Sequence, residues 1–512
     1  VDGGLPAAAS EARRNAVAHA LRDFHLAGVD WPELGKQRFR EIMQSLAAIQ
    51  ADVDHRIQDA SDAWALPVDD ADELEGLSTQ VLQRAAAEAS GRGREGWLLT
   101  LDYPTYHAVM THAENRGLRE TFYHGWVTRA SDQGANAEWD NSDNIDRILA
   151  LRHEAANLVG FRNYAEYSLA TKMAESPEQV IEFLRDLASH SRLAAEAELA
   201  ELRDFSGMVV EPWDVSFLLE KLKQEKFSIS NEALRQYFPA TMVVSGLFEL
   251  ASRLYDVEFA SDPDVVTWHE DALYYRVRNR GGEEIGGFYT DLFARSGKRT
   301  GAWVDDCVNR KNLNGSATLP VGFLVCNFSP PDERGQSLLT HDDVVTVFHE
   351  FGHMLHHLLT RIVYPSIAGI NGVTWDAVEL PSQFMENFAW SYEVLERCSA
   401  HAETGNPLPE DLFRRLEQSR HTGAALAMMR QIEFGLFDMR LHAEYDPGAP
   451  GAVLSVLDEV RAEVSLVRHP AYNRLPPISR ISRRKRLAVS ASKMPASSKA
   501  AYASAASTSA HL

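Results

Sequence analysis

A chain of 512 residues that is 45% hydrophobic can bury a large core, and its formal charge of -22 leaves no basic footprint with which to hold nucleic acid. No uncharged apolar run of about 18 residues occurs, and residues 1–20 lack the apolar stretch of a secretion signal. With three scattered cysteines, Cys307, Cys326 and Cys398, the sequence reads as a soluble cytoplasmic protein that spans no membrane.

From about residue 10 to 260 the period is helical, with Ala, Leu, Glu and Arg dominating and few Gly or Pro interruptions. "SPEQVIEFLRDLASHSRLAAEAELAELRDF" (176–205) is representative: Ser176 can cap, Pro177 suits the first turn, and Val180, Phe183, Leu184 and Leu187 make one apolar face. Between 265 and 330 the period changes. "ALYYRVRNRGGEEIGGFYTDLFA" and "PVGFLVCNF" read as strands, with "RGGEE" (280–284) as a hairpin connection. Helical periodicity returns from 341 to 465, broken by the loop "PSIAGINGVTWD" (365–376). Residues 475–512 carry seven Lys or Arg, no Asp or Glu, and much Ser and Ala, so they read as a disordered basic tail. The expected organisation is a mostly helical lobe over 1–260, a region with a small sheet and a histidine-rich helix over 261–474 that holds the candidate chemistry, and that tail.

The chemistry concentrates in "FHEFGHMLHH" (348–357). In a helix His349 and His353 lie on one face and can offer two imidazoles to one metal ion, with Glu350 beside them. The chain supplies its own controls: His153-Glu154 and His269-Glu270 begin alike, but Asn157 and Leu273 stand where the second histidine would be. On five residues alone, a core helix with satisfied histidines is an equal alternative. A catalytic zinc wants three protein ligands and an open position, and "WDAVELPSQFMENFAW" (375–390) supplies Glu379 as the third. After Pro381 a second helix can run antiparallel to the first, and Glu386, two turns beyond Glu379, is placed to hold a ligand histidine by its other nitrogen. Asp376, His356 and His357 are weaker competitors as ligands. One zinc ion so held would activate a water and polarise a carbonyl, while Glu350 would move the proton from water to leaving amine.

At these residues the sequence resembles the thimet-type oligopeptidases of metallopeptidase family M3. "FHEFGH" and "WDAVELPSQFMENFAW" carry the resemblance, with "EGWLLTLDYPTY" (95–106), "TRASDQG" (128–134), "NYAEYSLATKMAESP" (163–177), "ARSGKRTGAWVDDC" (294–307) and "RQIEFGLFDMRLHAEY" (430–445) in support. The resemblance implies a mainly α fold, a two-lobed helical clam with a deep channel and a small β-sheet near the zinc. It implies a monomeric enzyme that cleaves short peptide substrates, with His349, His353 and Glu379 as ligands and Glu350 as general base and acid. Strands near 300–328 would take an extended peptide by edge pairing. Members of the family extend further at both ends than the matched span of about 15 to 474, and the unmatched C-terminal part includes a Gly- and Tyr-rich segment with a histidine that assists the oxyanion. The expectation is therefore a zinc endopeptidase weakened by that loss, with a zinc- and peptide-binding pseudoenzyme as the alternative. The abrupt change after about 476 reads as a shifted frame or a recombined gene end.

Overall fold

The structure, a computed structural model, describes residues 10–474 other than 296, 300, 314, 450 and 451; the tail read as disordered lies outside them. The described residues are mainly helical, with one five-stranded mixed sheet and two two-stranded sheets. Contacts divide the chain into two compact units, each drawn from two stretches: Val1–Leu26 with Phe227–Gln418, and Ala27–Lys226 with Ser419–Leu512. The change of period near residue 260 falls inside the first of these. Its physical reason is that the last helix of the helical stretch and the sheet that follows it bury their apolar faces against each other.

In that unit helix α1 (Ala240–Tyr255) ends at Asp256, whose φ of +54° reverses the chain directly into strand β1 (Val257–Ser261). β1 lies within the stretch whose composition reads as helical. Strands β2 (Leu273–Asn279) and β3 (Glu284–Phe293) form the expected hairpin, with Gly282 at φ +78° in its turn. The chain then makes β4 (Trp303–Val308) before β5 (Val321–Phe328). β5 enters parallel to β3, and β4 pairs antiparallel with its far side, giving the order β1-β2-β3-β5-β4. β4 is thus an edge strand, joined among the described strands to β5 alone.

Helix α2 (His341–Leu358) packs on one face of this sheet. Its start is fixed by a capping box: Thr340 Oγ1 accepts the Asp343 N–H at 3.1 Å, and the Asp343 carboxylate accepts the Thr340 N–H at 2.9 Å. Its apolar stripe, Val344, Val347, Phe348, Phe351, Met354, Leu355 and Leu358, is buried. Phe351 meets Phe248 of α1, Phe259 of β1 and Phe288 of β3 with ring centroids 5.6–5.9 Å apart, so one aromatic cluster ties both helices to the sheet.

The second unit is built on long helices, including Glu33–Ala63, Pro177–Ser206, Ala424–Ala443 and Ala452–Val464. Ser176 caps the second of these by accepting the Gln179 N–H, and Leu184 and Leu187 are buried along its apolar face. At its centre Glu433 is 1% exposed and accepts from Arg430, Arg461, His469 and Ser465 at 2.6–3.3 Å. Burial opposes ionisation, but the His469 hydrogen bond and the two guanidinium groups outweigh it and hold the carboxyl well below the usual carboxylate range. No helix among the described residues is long and apolar enough to cross a membrane. Cys307, Cys326 and Cys398 are all free thiols.

Removing one partner of such a buried cluster strands the others. Glu433→Gln keeps the shape and deletes the charge between two arginines, so a loss of about 3 kcal/mol is expected, read as a lowered denaturation midpoint of the variant beside the parent.

Candidate metal centre

The site lies within the first unit and is made by two helices that touch. Glu379 is the N-cap of α3 (Leu380–Glu386), with Pro381 in its first turn as the missing amide there allows. α3 crosses α2 at Gly352, where an added Cβ would stand 2.5 Å from Pro381 O and 2.6 Å from Ser382 Cα. Glycine is what lets the two backbones approach that closely. From this crossing Glu379 reaches back over α2.

His349 and His353, one helical turn apart on α2, have ring centroids 5.1 Å apart. Glu379 Oε2 stands 3.0 Å from His349 Nε2 and 2.9 Å from His353 Nε2. Those three residues form the one group among the described residues whose donor atoms converge as metal ligands do. In a tetrahedral zinc site with bonds of about 2.0–2.1 Å, neighbouring donors stand about 3.3 Å apart, so the observed separations suit a metal with a shift of a few tenths of an ångström. Two imidazoles and one carboxylate are also the donor set of a hydrolytic zinc site, and the residues fit the group.

The remaining atoms of the site are positioned as follows. Glu386, at the end of α3, is buried and accepts from His349 Nδ1 at 2.7 Å, which leaves Nε2 facing Glu379. The one hydrogen of Ser382 Oγ is shared between Glu379 O at 2.9 Å and Glu379 Oε2 at 3.0 Å and so restrains the carboxylate's rotation, a contact that sequence reasoning did not single out. It is made within the first turn of α3, three residues from Glu379. Glu350 is buried on α2 beside His349, near enough for its charge to favour the imidazolium. His356 and His357 stand apart from the convergent group, His357 Nε2 being bonded to Val308 O and Val321 O. Asp376 is exposed and also outside it.

In the metal-free protein both ring nitrogens of His349 face carboxylates. Burial pulls the imidazole toward neutrality, but the hydrogen bonds to Glu379 and Glu386 outweigh it and hold the pKa up to about 9. A proton thus sits where a metal would.

The family model for peptidase family M3 matches residues 109–476, most of the chain. The chain belongs to peptidase family M3. Oligopeptidase A of Escherichia coli (strain K12) is 47% identical over 482 residues, covering 93% of this chain and 71% of that protein. Oligopeptidase A of Salmonella typhimurium is 46% identical over the same shares. A crystal structure titled as an oligoendopeptidase F from Bacillus anthracis aligns with a TM-score of 0.50 at 14% identity, covering 94% of this chain and 68% of that one, a likeness of fold. As an M3 member of the oligopeptidase A type, the chain is a peptide-cleaving metallopeptidase.

Two outcomes follow for this M3 site. Gly352→Ala gains helix propensity of about 1 kcal/mol. Its methyl would nevertheless push the Pro381 backbone back by at least about 0.5 Å, more than the ~0.2 Å a metal site tolerates. The variant should fold with weaker metal affinity, measured by competition with a chromogenic chelator. The second outcome concerns pH. The folded pKa of His349 lies above its unfolded value of about 6.5, so the metal-free protein holds that stabilisation in full below pH 6.5 and loses it as pH rises through about 9. A metal held at this position would replace the proton, so melting temperatures of chelator-treated protein should fall across that window more steeply than those of metal-loaded protein.

Proposed function

We propose that the chain is a zinc-dependent endopeptidase acting on short peptides in the cytoplasm, with His349, His353 and Glu379 holding one zinc ion. The observation that carries this reading is the convergence of His349 Nε2, His353 Nε2 and Glu379 Oε2 in a chain of family M3. Three free cysteines agree with a reducing compartment.

A zinc ion there would supply Lewis acidity to the attacking water and to the scissile carbonyl. The chain's own groups do the rest. Glu386 accepts the Nδ1–H of His349 and so keeps Nε2 turned toward the ion, and Ser382 holds the Glu379 carboxylate in its rotamer. Glu350, in the low-dielectric interior beside the ligands, takes a proton from the water and returns it to the departing amine. The open edge of β4 offers backbone donors and acceptors to an extended peptide, a mode that reads main chain more than side chains and suits broad sequence specificity. Short peptides as substrates accord with the oligopeptidase A relatives.

The test is hydrolysis of an internally quenched oligopeptide by zinc-loaded protein, by the same protein after chelation, and by Glu350→Gln. Chelation should abolish turnover and added zinc restore it. Glu350→Gln should retain zinc by elemental analysis and lose about 10²–10⁴-fold in kcat. Equal turnover in parent and Glu350→Gln, with zinc present in both, would remove Glu350 from its role. Absence of turnover in the zinc-loaded parent, with peptide bound, would mean that the chain holds peptides without cutting them.

A further inference from the structure

The helix that carries the two imidazoles carries a third histidine on the same ridge. His349, His353 and His357 are spaced by four, and each step of four advances about 6 Å along one face. His357 is fully buried, and its Nε2–H is shared between the carbonyls of Val308 and Val321, at 3.2 and 3.1 Å. These two residues are cross-strand partners at the end of β4 and the start of β5. One side chain of the ligand helix therefore grips both strands at one rung.

A second contact holds the same end of β4. Asn371 Nδ2 donates to Asp306 Oδ2 and to Asn309 Oδ1, both at 3.0 Å, and Asn309 Nδ2 donates to the same Asp306 oxygen. Asn371 sits in the Gly369–Gly372 turn, which lies against His357: Gly369 has φ +55°, and a Cβ there would stand 2.9 Å from His357 Cα and 3.2 Å from its Nδ1. That turn precedes Glu379 by a few residues. Both chain segments that supply the convergent donors, α2 and residues 369–379, are thus bonded to the C-terminal end of the edge strand.

We infer that His357 and Asn371 are positioning residues that clamp β4 to the metal-ligand helix, so that a peptide paired along the strand's open edge presents its backbone at a set distance from His349 and His353. The inference rests on the proposed peptidase reading. Edge strands have one unpaired side and bend easily. Tying this one to a rigid helix one turn beyond His353 converts strand pairing into placement of the scissile bond, where misplacement of about 1 Å costs on the order of 10²-fold in rate.

The clamp is tested in zinc-loaded Glu350→Gln protein, so that affinity for a labelled oligopeptide is read by fluorescence anisotropy without turnover, and in parallel with an intact Glu350. His357→Leu removes the shared donor at similar volume. It should weaken peptide binding about tenfold and speed amide exchange across residues 303–308, with zinc content unchanged. His357→Gln, whose amide can donate to one carbonyl, should recover part of the affinity. Asn371→Ala, at an exposed position, should shift affinity and exchange in the same direction and serves alone if His357→Leu does not fold. With Glu350 intact, kcat should fall by more than KM rises, because the peptide that still binds is misplaced. Lowered melting temperature with peptide affinity, KM and kcat all within twofold of the parent would make the clamp structural only and overturn the inference. Failure of the Glu350→Gln parent to bind any peptide would remove the peptidase reading and this inference together, an outcome distinct from binding that the clamp variants leave unchanged.

Discussion

The close crossing of α2 and α3 is the contact on which the site depends. At Gly352 the start of α3 lies where a side chain would otherwise be. That approach turns two separate facts of sequence, a pair of histidines on one helix and a glutamate 30 residues from the first of them, into a carboxylate oxygen about 3 Å from each of two imidazole nitrogens. Neither helix alone has a reason to hold a metal. Together they bury the Glu379 carboxylate and the His353 imidazole and leave His349 partly exposed, and where the groups are buried an unpaired charge is costly and each must find a partner.

The electrostatics of the site follow from that enclosure. Burial alone would make the His349 imidazole neutral, yet two carboxylates on α3 face its two nitrogens and reverse the sign of the shift. The same arrangement prepares the ring for a metal: one carboxylate holds Nδ1, and the other shares the space into which Nε2 points. A divalent ion bound there would compete with the ring's proton for one position. The sheet beneath serves the same helix. β3 and β5 bring glycines under α2, since a Cβ on Gly322 would stand 2.8 Å from Met354 Cε, so the sheet supports α2 closely while β4 keeps an open edge.

The second unit shows the opposite use of buried charge. Glu433 gathers two arginines, a histidine and a serine, and nothing about the cluster resembles a metal site. Asn473, which donates to Tyr123 Oη at 2.7 Å, ties the end of the described chain into the same network. A carboxylate among cations stabilises helix packing, whereas carboxylates turned toward imidazoles leave a place for a cation to enter.

Local features were legible in the sequence because the physics behind them is local. The helix around His349 and His353, the cap at Ser176 and the hairpin between β2 and β3 depend on residues a few positions apart. The motif spacing and the family resemblance also pointed to Glu379 and Glu386, although the distances that bring their oxygens to the imidazoles exist only in the fold. Other features had no local signal. β1 is hidden in a helical stretch, β5 runs parallel to β3 with β4 beyond it, and each unit is assembled from distant segments. Asn371 against β4 and the closeness permitted by Gly352 are likewise meetings of chain segments. By itself the sequence determined which groups were available and which helices and turns would present them. The tertiary structure decided which of them meet, because burying the apolar faces of α1, α2 and the sheet against one another is what sets those distances.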